Sequence, residues 1–280
     1  MKILILGLNG MLGNAFLKTI NKYNKFEVYG TVRKNNNLKD LECIQIFENV
    51  SCEEFFKLEN ILYKLKPNVV LNCIGLVKQN ASSKDNIKSI TINALFPHKV
   101  FEICQKINSR FIQISTDCVF SGSSGYYSEN DLTDPQDIYG RSKLLGEIDS
   151  KGAITLRTSI IGHSLFSKHG LVDWFLNQEY KIKGYKKAIF SGLTTFELSK
   201  IIIEYIIPDL ELNGIYHVSS SSISKFDLLN LVRKVYKKSI EIYPDDSLVI
   251  NRSLNSEKFK NITKYIPPTW EKMINEMYQI

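Results

Sequence analysis

Short apolar runs alternate with longer stretches of helical periodicity along the first half of the chain. The apolar runs lie at 3–6, 26–32, 43–47, 68–73, 110–115 and 153–157, and the helical patterns at 11–20, 52–65, 84–106 and 139–149. Strands and helices that alternate at this spacing are typical of a parallel sheet with helices on both faces. The runs are apolar throughout, as in strands that are buried on both faces. The pattern therefore predicts an α/β fold with a doubly wound parallel sheet.

The second half of the chain follows the same rhythm less regularly. Helical patterns lie at 171–179, 196–207 and 223–237, and an apolar run lies at 214–218. Because the helix–strand order resumes after an irregular insertion, we expect residues 1–160 and 195–219 to form the sheet domain. Residues 161–194 and 220–280 should then form a smaller lobe over the carboxyl ends of the strands, where ligands bind in such sheets.

Three glycines join the first apolar run to the first helix. Gly7, Gly10 and Gly13 form the spacing G-x-x-G-x-x-G. In nucleotide-binding folds such glycines permit a tight turn, a close approach of the backbone to a pyrophosphate and close helix–strand packing, while the helix N-terminus attracts the phosphates. Glycines also mark plain turns, but this position between strand and helix favours a Rossmann-like dinucleotide site. Further predicted cofactor contacts in the turn are Asn9, Met11 and Leu12.

The end of the second apolar run bears on the choice of cofactor. An acidic side chain there would bind the ribose 2′-hydroxyl of NAD, and the sequence has none. Arg33 and Lys34 occupy the position and suit the 2′-phosphate of NADP. The alternative is that both are solvated turn residues. We therefore predict NADPH as the cofactor, with NADH as the alternative.

A tyrosine and a lysine are spaced to share one face of a helix. Tyr139 and Lys143 stand four positions apart, so the ammonium can lie beside the phenol. A neighbouring cation lowers the pKa of a phenol from its ordinary value of about 10 and suits it for proton transfer. The preceding apolar run ends at Ser115, Thr116 and Asp117. Thr116 is a candidate to hold a substrate carbonyl, although these residues also suit a simple strand end.

Together, these motifs resemble those of the extended short-chain dehydrogenase/reductases, and more narrowly the dTDP-4-dehydrorhamnose reductase family. The similar segments extend over nearly the whole chain and are Ser115–Phe120, Tyr127–Asp131, Tyr139–Glu147, Leu156–Ser159, Gly192–Thr195 and Gly214–Val218. The resemblance implies a catalytic set of Thr116, Tyr139 and Lys143. It also implies cofactor contacts by the tyrosine, the lysine, Asn49, Val50, Cys73, Ile74, Gly75, Asn93, Ser115 and Ile160.

Three departures from the family pattern lie where a sugar should bind. Ile160 replaces an aromatic residue, Thr194 replaces a proline, and the segment 72–79 differs from that of rhamnose enzymes. The pattern looks closer to reductases of UDP-linked, N-acetylated 6-deoxyhexoses. The resemblance thus implies an NADPH-dependent 4-reductase of a nucleotide-linked 4-keto-6-deoxyhexose, on UDP or dTDP, in deoxysugar or surface polysaccharide biosynthesis. Candidate substrate contacts are Lys78, Gln79, Thr116, Asp117, Val119, Tyr139, Ser159, His169, Lys183 and Arg252.

Two alternatives share parts of this pattern. A nucleotide-sugar 4-epimerase or dehydratase with tightly held NAD would keep the glycine turn and the tyrosine–lysine pair. Such enzymes usually have an acidic residue where Arg33 stands, and dehydratases have an Asp-Glu pair where Asp117 and Cys118 stand. A non-catalytic regulatory subunit, of the kind that serves methionine adenosyltransferase, would bind NADP without turnover. The intact Tyr139 and Lys143 argue against that role.

Charge and composition limit the kinds of ligand and partner that we expect for this chain. The 280 residues carry a formal net charge of +7 with scattered lysines, which favours a solvated surface over a nucleic-acid site. Five cysteines without a C-x-x-C pair, and four histidines without an H-E-x-x-H pattern, predict neither a disulfide framework nor a metal site. The chain begins directly with a strand and has no long apolar segment, so we expect a cytoplasmic protein without a membrane partner. A homodimer is a candidate assembly.

Overall fold

The computed structural model describes residues 1–34, 44–77, 85–166 and 170–279. In chain order its strands are β1 (Lys2–Leu6), β2 (Glu27–Thr31), β3 (Gln45–Phe47), β4 (Val69–Asn72), β5 (Arg110–Ile114), β6 (Ala153–Arg157), β7 (Ile160–Ile161), β8 (Lys181–Tyr185), β9 (Ala188–Phe190), β10 (Leu193–Thr194), β11 (Gly214–His217), β12 (Ile223–Ser224), β13 (Glu241–Asp245) and β14 (Ile250–Asn251). The helices are α1 (Met11–Ile20), α2 (Phe55–Leu65), α3 (Asn86–Ser89), α4 (Phe96–Lys106), α5 (Ile138–Leu145), α6 (Leu171–Leu176), α7 (Thr195–Ile201), α8 (Lys225–Val235), α9 (Glu257–Thr263) and α10 (Trp270–Tyr278). Two π-helical turns, Ile90–Leu95 and Ile202–Ile206, follow α3 and α7, and a 3₁₀ turn spans Asp117–Val119. Among these described residues, no helix is long and apolar enough to cross a membrane.

Seven parallel strands form the central sheet, in the order β11-β6-β5-β4-β1-β2-β3. β1 lies between β2 and β4, because the chain runs from β1 to one edge and then returns to build the other half. This reversal of strand order creates a crevice at the carboxyl ends of β1 and β4, where doubly wound sheets bind nucleotides. The predicted Rossmann-like parallel sheet is confirmed.

The central strands bury both of their faces against helices. Ile3 and Ile5 belong to the apolar cluster that includes α1 and α7, whereas Leu4 and Leu6 belong to the cluster that includes α2 and α4. All four side chains are fully buried. Alternate positions of a strand point to opposite faces, so both faces require apolar residues here. This explains why the apolar runs lack the alternation of a half-exposed strand.

Smaller sheets are built from segments that follow β6. β7 pairs with β10, β8 with β13, and β9 with both β12 and β14. β11 instead returns to the central sheet beside β6. The division of the chain into a sheet domain and a smaller C-terminal substrate-binding lobe stays a prediction, with β11 inside the central sheet and the short strands outside it.

Candidate active site

The turn between β1 and α1 holds its three glycines close together. Gly7 has a φ of +78°, a left-handed conformation that glycine adopts without steric cost. A Cβ atom on Gly13 would lie 2.4 Å from the Gly7 carbonyl oxygen, so glycine is needed for α1 to approach this closely. Gly10 precedes α1, and no side chain caps the helix there, which suits a pyrophosphate at the helix N-terminus. The other predicted contacts of the turn are half-buried Asn9 and Met11 and buried Leu12.

Two cations follow β2 at the carboxyl edge of the sheet. The Arg33 and Lys34 side chains are both exposed. Asn49 and Val50 follow the neighbouring β3, where the Val50 N–H donates to the Val32 carbonyl at 3.0 Å. Val50 is buried and Asn49 is exposed. The two cations therefore stand where dinucleotide-binding folds hold the adenosine ribose.

Cys73 and Ile74 bring the loop after β4 onto the glycine turn. The Cys73 N–H donates to the Leu6 carbonyl at 3.0 Å. A Cβ atom on Gly7 would lie 2.8 Å from the Ile74 Cγ1 atom. Burial raises the pKa of the Cys73 thiol, so this thiol stays protonated at neutral pH. The predicted cofactor contacts of both loops thus lie side by side.

Asn93 ties the same loop to α5. Its Oδ1 atom accepts a hydrogen bond from the Leu76 N–H at 2.9 Å, and its amide nitrogen donates to the Ser142 hydroxyl at 3.1 Å. A Cβ atom on Gly75 would lie 3.4 Å from the Asn93 Oδ1 atom and 3.8 Å from the Lys143 ammonium. Asn93 belongs to the first π-helical turn, and such turns are frequent at functional sites. The predicted contacts Gly75, Asn93 and Lys143 are therefore neighbours.

Lys143 extends from α5 into the interior of the site. Its ammonium donates to the carbonyl of Ile114, the last residue of β5, at 2.5 Å. The residue is 6% exposed. Burial lowers the pKa of Lys143 to about 8, and the carboxylate of Glu147 opposes that shift. The ammonium is therefore protonated at neutral pH but titrates only slightly above it.

Tyr139 lies one turn before Lys143 on the same helix. Burial raises the pKa of its phenol above the ordinary value, and Cys118 acts in the same direction. A hydrogen bond with Thr116 opposes the shift. The lowered pKa that the sequence predicts is therefore wrong for this arrangement, because the loss of hydration is the largest effect on the phenol and the hydrogen bond with Thr116 does not outweigh it. At neutral pH the phenol keeps its proton and can donate it.

The 3₁₀ turn after β5 places polar groups beside that phenol. The Thr116 hydroxyl accepts from the Cys118 N–H at 3.2 Å and lies 3.3 Å from the Asp117 Oδ1 atom. Asp117 is 6% exposed, and Val119 is fully buried. The turn thus brings a hydroxyl and a buried carboxyl group close to Tyr139.

A buried ion pair holds the region around α5 against the central sheet. The Ser115 hydroxyl donates to the Glu147 Oε1 atom at 2.6 Å, and Arg157 donates to both carboxylate oxygens at 2.9 and 2.7 Å. The Arg157 guanidinium also lies 3.4 Å from the His217 Nε2 atom. These residues connect β5, β6 and β11 to the end of α5. Because its hydroxyl is used internally, the cofactor contact of Ser115 stays a prediction.

The remaining predicted contacts are placed differently. Ser159, between β6 and β7, and Ile160, the first residue of β7, are both half-buried. Arg252 approaches the turn after β5, since its Nε donates to the Phe120 carbonyl at 2.9 Å. Lys183 lies on β8, exposed and paired with Asp245 at 3.1 Å. Outside the described residues lie Lys78, Gln79 and His169.

Lys225 is a residue of the site that the sequence analysis missed. It begins α8, and its charge interacts with Asp117 and Cys118. Burial raises the pKa of the Asp117 carboxyl group, and Lys225 and Arg252 oppose that effect. The one sequence signal was its position after Ser224, which caps α8. Nothing in the sequence indicated that α8 begins beside the turn after β5. Across the described ranges, no group of three His, Cys, Asp or Glu residues could hold a metal ion.

The whole chain, residues 1–280, matches the family described as RmlD substrate binding domain. It is 28% identical over 230 residues to the spore coat polysaccharide biosynthesis protein SpsK of Bacillus subtilis, which covers 79% of this chain and 74% of that protein. It is 27% identical over 165 residues to methionine adenosyltransferase 2 subunit beta of Danio rerio, which covers 57% of this chain and 48% of that protein. Among solved structures, dTDP-4-dehydrorhamnose reductase from Bacillus anthracis in complex with NADP superposes with a TM-score of 0.82 at 20% identity, over 99% of this chain and 98% of that one.

The same fold also occurs in proteins with other activities. The UDP-Glc/GlcNAc 4-epimerase of Campylobacter jejuni superposes with a TM-score of 0.77 at 17% identity, over 99% of this chain and 98% of that one. Structural similarity at such identities establishes the fold, and a fold alone does not identify an activity. The family match extends over every residue of the chain and carries more weight. The chain therefore belongs to the RmlD substrate-binding domain family, which confirms its predicted resemblance to the dTDP-4-dehydrorhamnose reductases among the extended short-chain dehydrogenase/reductases.

Proposed function

We propose that the protein uses NADPH to reduce the C4 carbonyl of a nucleotide-linked 4-keto-6-deoxyhexose. Membership of the family makes the chain an NAD(P)-dependent oxidoreductase, and NADP is the cofactor in the similar reductase from Bacillus anthracis. The observation that carries the proposal is that Tyr139 lies beside Thr116, and that Lys143 of the same helix lies beside Gly75 in the loop after β4. A carbonyl reduction needs a hydride and a proton at adjacent atoms, and this crevice brings the groups for both together.

The cofactor, when bound, supplies the hydride. The glycine turn fits its pyrophosphate, because Gly13 lets α1 pack closely on the turn and no side chain caps the N-terminus of α1, which leaves its N–H groups for a phosphate. Arg33 and Lys34 suit the 2′-phosphate through charge-assisted hydrogen bonds. Lys143 lies beside Gly75 and would hold the nicotinamide ribose.

Tyr139 is the proposed proton donor to the O4 atom. Its raised pKa keeps the phenol protonated until a substrate oxygen develops negative charge. Thr116 hydrogen-bonds the phenol and would also hold the substrate carbonyl. Lys143 places a positive charge nearby, which stabilises the phenolate that proton transfer leaves behind.

The proposal also concerns which nucleotide carries the sugar, dTDP or UDP. Purified protein with NADPH should be tested against 4-keto-6-deoxyhexoses carried by dTDP and by UDP, with loss of NADPH absorbance as the readout. Turnover with one carrier identifies the base that is bound. Protein that holds NAD through purification and interconverts nucleotide sugars without net oxidation would instead indicate an epimerase or dehydratase. No NADPH consumption with either carrier would refute the reductase proposal.

A regulatory role is the second candidate, and the similarity to methionine adenosyltransferase 2 subunit beta favours it. Such a role requires a partner enzyme and no catalysis. It would be supported by stable co-purification with a synthetase and by unchanged function after Tyr139→Phe. The intact, hydrogen-bonded Tyr139 and Thr116 argue for catalysis, since a regulatory subunit has no use for a buried proton donor.

A further inference from the structure

Lys225 is held in a defined position at the start of α8. Ser224 caps this helix by accepting a hydrogen bond from the Asp227 N–H at 3.0 Å. The Lys225 ammonium lies 3.6 Å from the centroid of the Phe190 ring. That ring is buried and packs against Trp270 at a centroid distance of 5.2 Å. The cation therefore rests on a fixed aromatic surface.

The ammonium of Lys225 nevertheless has no acceptor among the described residues. Within residues 1–34, 44–77, 85–166 and 170–279, no hydrogen bond or ion pair joins it to another group. Burial lowers the pKa of Lys225 to about 8, with Asp117 and Cys118 opposing that shift. An ammonium has three donors, and a polar group removed from water without acceptors is costly. A sugar bound in the crevice would offer oxygen acceptors to these donors.

The direction of the ammonium identifies which part of a ligand it meets. Ser224, the neighbour of Lys225, pairs with Ile189 of β9, and the Ile189 carbonyl accepts from the Arg252 N–H at 3.0 Å. Arg252 also donates to the Phe120 carbonyl in the turn after β5 at 2.9 Å. Asp117 and Cys118 of that turn act on the charge of Lys225. The cation is therefore near the reacting carbonyl. The Asp117 carboxyl group beside the ammonium suits a neutral hydroxyl, which can accept from an ammonium and donate to a carboxyl oxygen.

We propose that Lys225 is a substrate-binding residue that donates a hydrogen bond to a neutral oxygen substituent of the hexose, close to the carbonyl served by Tyr139. This inference rests on the proposed reduction of a nucleotide-linked sugar. It assigns Lys225 to recognition of the hexose part of that substrate. Lys225 belongs to the segment 220–280, so it also connects this segment to the turn that carries Thr116. It would favour hexoses that keep an oxygen beside the reacting carbon.

Binding to the protein loaded with NADP⁺ tests this without turnover. Calorimetry should compare dTDP-glucose and UDP-glucose with dTDP and UDP alone, for wild type, Lys225→Met and Lys225→Arg. Lys225→Met keeps the length and apolar contact of the side chain but loses its donors. This variant should weaken binding of the nucleotide sugars about ten- to a hundredfold, as expected for the loss of a charged hydrogen bond. Binding of the nucleoside diphosphates should not change. Lys225→Arg keeps a positively charged donor and should lose less affinity for the nucleotide sugars.

Lys258→Met is the matched control. Lys258 also lies on an aromatic ring, 4.3 Å from the centroid of Tyr216, and its ammonium donates to the Ile215 carbonyl at 2.8 Å. This variant should bind all four nucleotides as the wild type does. Equal weakening of sugar and diphosphate by Lys225→Met would show a phosphate contact and overturn the proposal. Unchanged binding of the nucleotide sugar would overturn it as well. A wild-type protein that binds none of the four would instead refute the proposed function, and this inference with it.

Discussion

At the scale of single residues, burial acts on Tyr139 and Lys143 in opposite directions. It raises the pKa of the phenol and lowers the pKa of the ammonium to about 8. In both cases the charged form loses hydration and becomes less stable. The result is a phenol that holds its proton firmly beside a cation that holds its proton less firmly. This combination suits reduction, in which Tyr139 must begin the reaction protonated.

Removal of the phenolic hydroxyl should therefore stop turnover. Tyr139→Phe should lower kcat by about a hundred- to ten-thousandfold, the usual contribution of a general acid, and leave NADPH binding nearly intact because the ring remains. Tyr126→Phe is the control, since Tyr126 is 61% exposed and should keep the wild-type rate. Steady-state kinetics and NADPH titration measure both effects. A Tyr139→Phe enzyme with more than half the wild-type rate would contradict the assignment.

The pKa of Lys143 predicts a basic limb in the pH profile. Its lowered value of about 8 means that the ammonium is present below that pH and lost above it. Because the proposed role requires the cation, kcat/KM should fall as the pH rises through about 8. Lys225 has a similar pKa of about 8, so variants must separate the two. The limb should persist in Lys225→Met and disappear only when that change is combined with Lys143→Arg, whose guanidinium stays charged; a flat wild-type profile would exclude this role.

Cofactor preference should depend on Arg33. Its exposed guanidinium at the end of β2 suits a 2′-phosphate, which only NADPH carries. Arg33→Ala should weaken NADPH binding about ten- to a hundredfold, as expected for the loss of a charged hydrogen bond, and should change NADH binding little. Fluorescence titration of both cofactors measures this, with exposed Lys151→Ala as the charge-matched control. Equal losses for NADPH and NADH would show that Arg33 does not contact the 2′-phosphate.

At the scale of elements, the Glu147–Arg157 ion pair joins the end of α5 to β6. Its side chains are 4% and 6% exposed. Arg157→Met leaves the Glu147 carboxylate buried without its partner, which should lower the free energy of unfolding by about 3–5 kcal/mol. Denaturant unfolding measures the loss. Lys106→Met, which breaks an exposed pair with Glu102, should leave the unfolding midpoint nearly unchanged, and a similar loss in both variants would show that burial of the pair is not the cause.

Local and tertiary signals account for which elements the sequence predicts. α8 begins at Lys225, within two residues of the start of the helical pattern at 223–237, because its cap is local and the Ser224 hydroxyl accepts from the Asp227 N–H. β8 is missed because the segment Lys181–Tyr185 has charged, exposed positions and a glycine, and it becomes a strand by pairing with β13. The pattern at 84–106 predicts one helix interrupted near Pro97, whereas the structure contains a π-helical turn around Asn93 that ends just before α4 begins at Phe96. Neither feature has a signal in the neighbouring sequence.

At the scale of the whole molecule, the site combines the edge of the central sheet with segments from the end of the chain. The glycine turn, Thr116, Tyr139 and Lys143 are predicted because each belongs to a compact motif with its own spacing. Lys225 and Arg252 lie 82 and 109 residues beyond Lys143 along the chain, and tertiary packing brings them to the turn after β5. Spacing along the sequence predicts Arg252 only as one of many cations, and Lys225 not at all.

This arrangement predicts that cofactor and sugar nucleotide protect different parts of the chain from hydrogen exchange. NADP⁺ should slow exchange in the β1–α1 turn and in the loop that contains Gly75, because those backbones would contact it. Addition of dTDP-glucose or UDP-glucose to the loaded protein should slow exchange further at the start of α8 and around Arg252, since both approach the turn after β5. Peptides from α2 should not respond to the sugar nucleotide and serve as the internal reference. Ordering by a ligand is expected to reduce local opening where it binds. Sugar-nucleotide protection confined to residues 1–160 would show that the division into a sheet domain and a substrate lobe is wrong, even if the enzyme turns the sugar over.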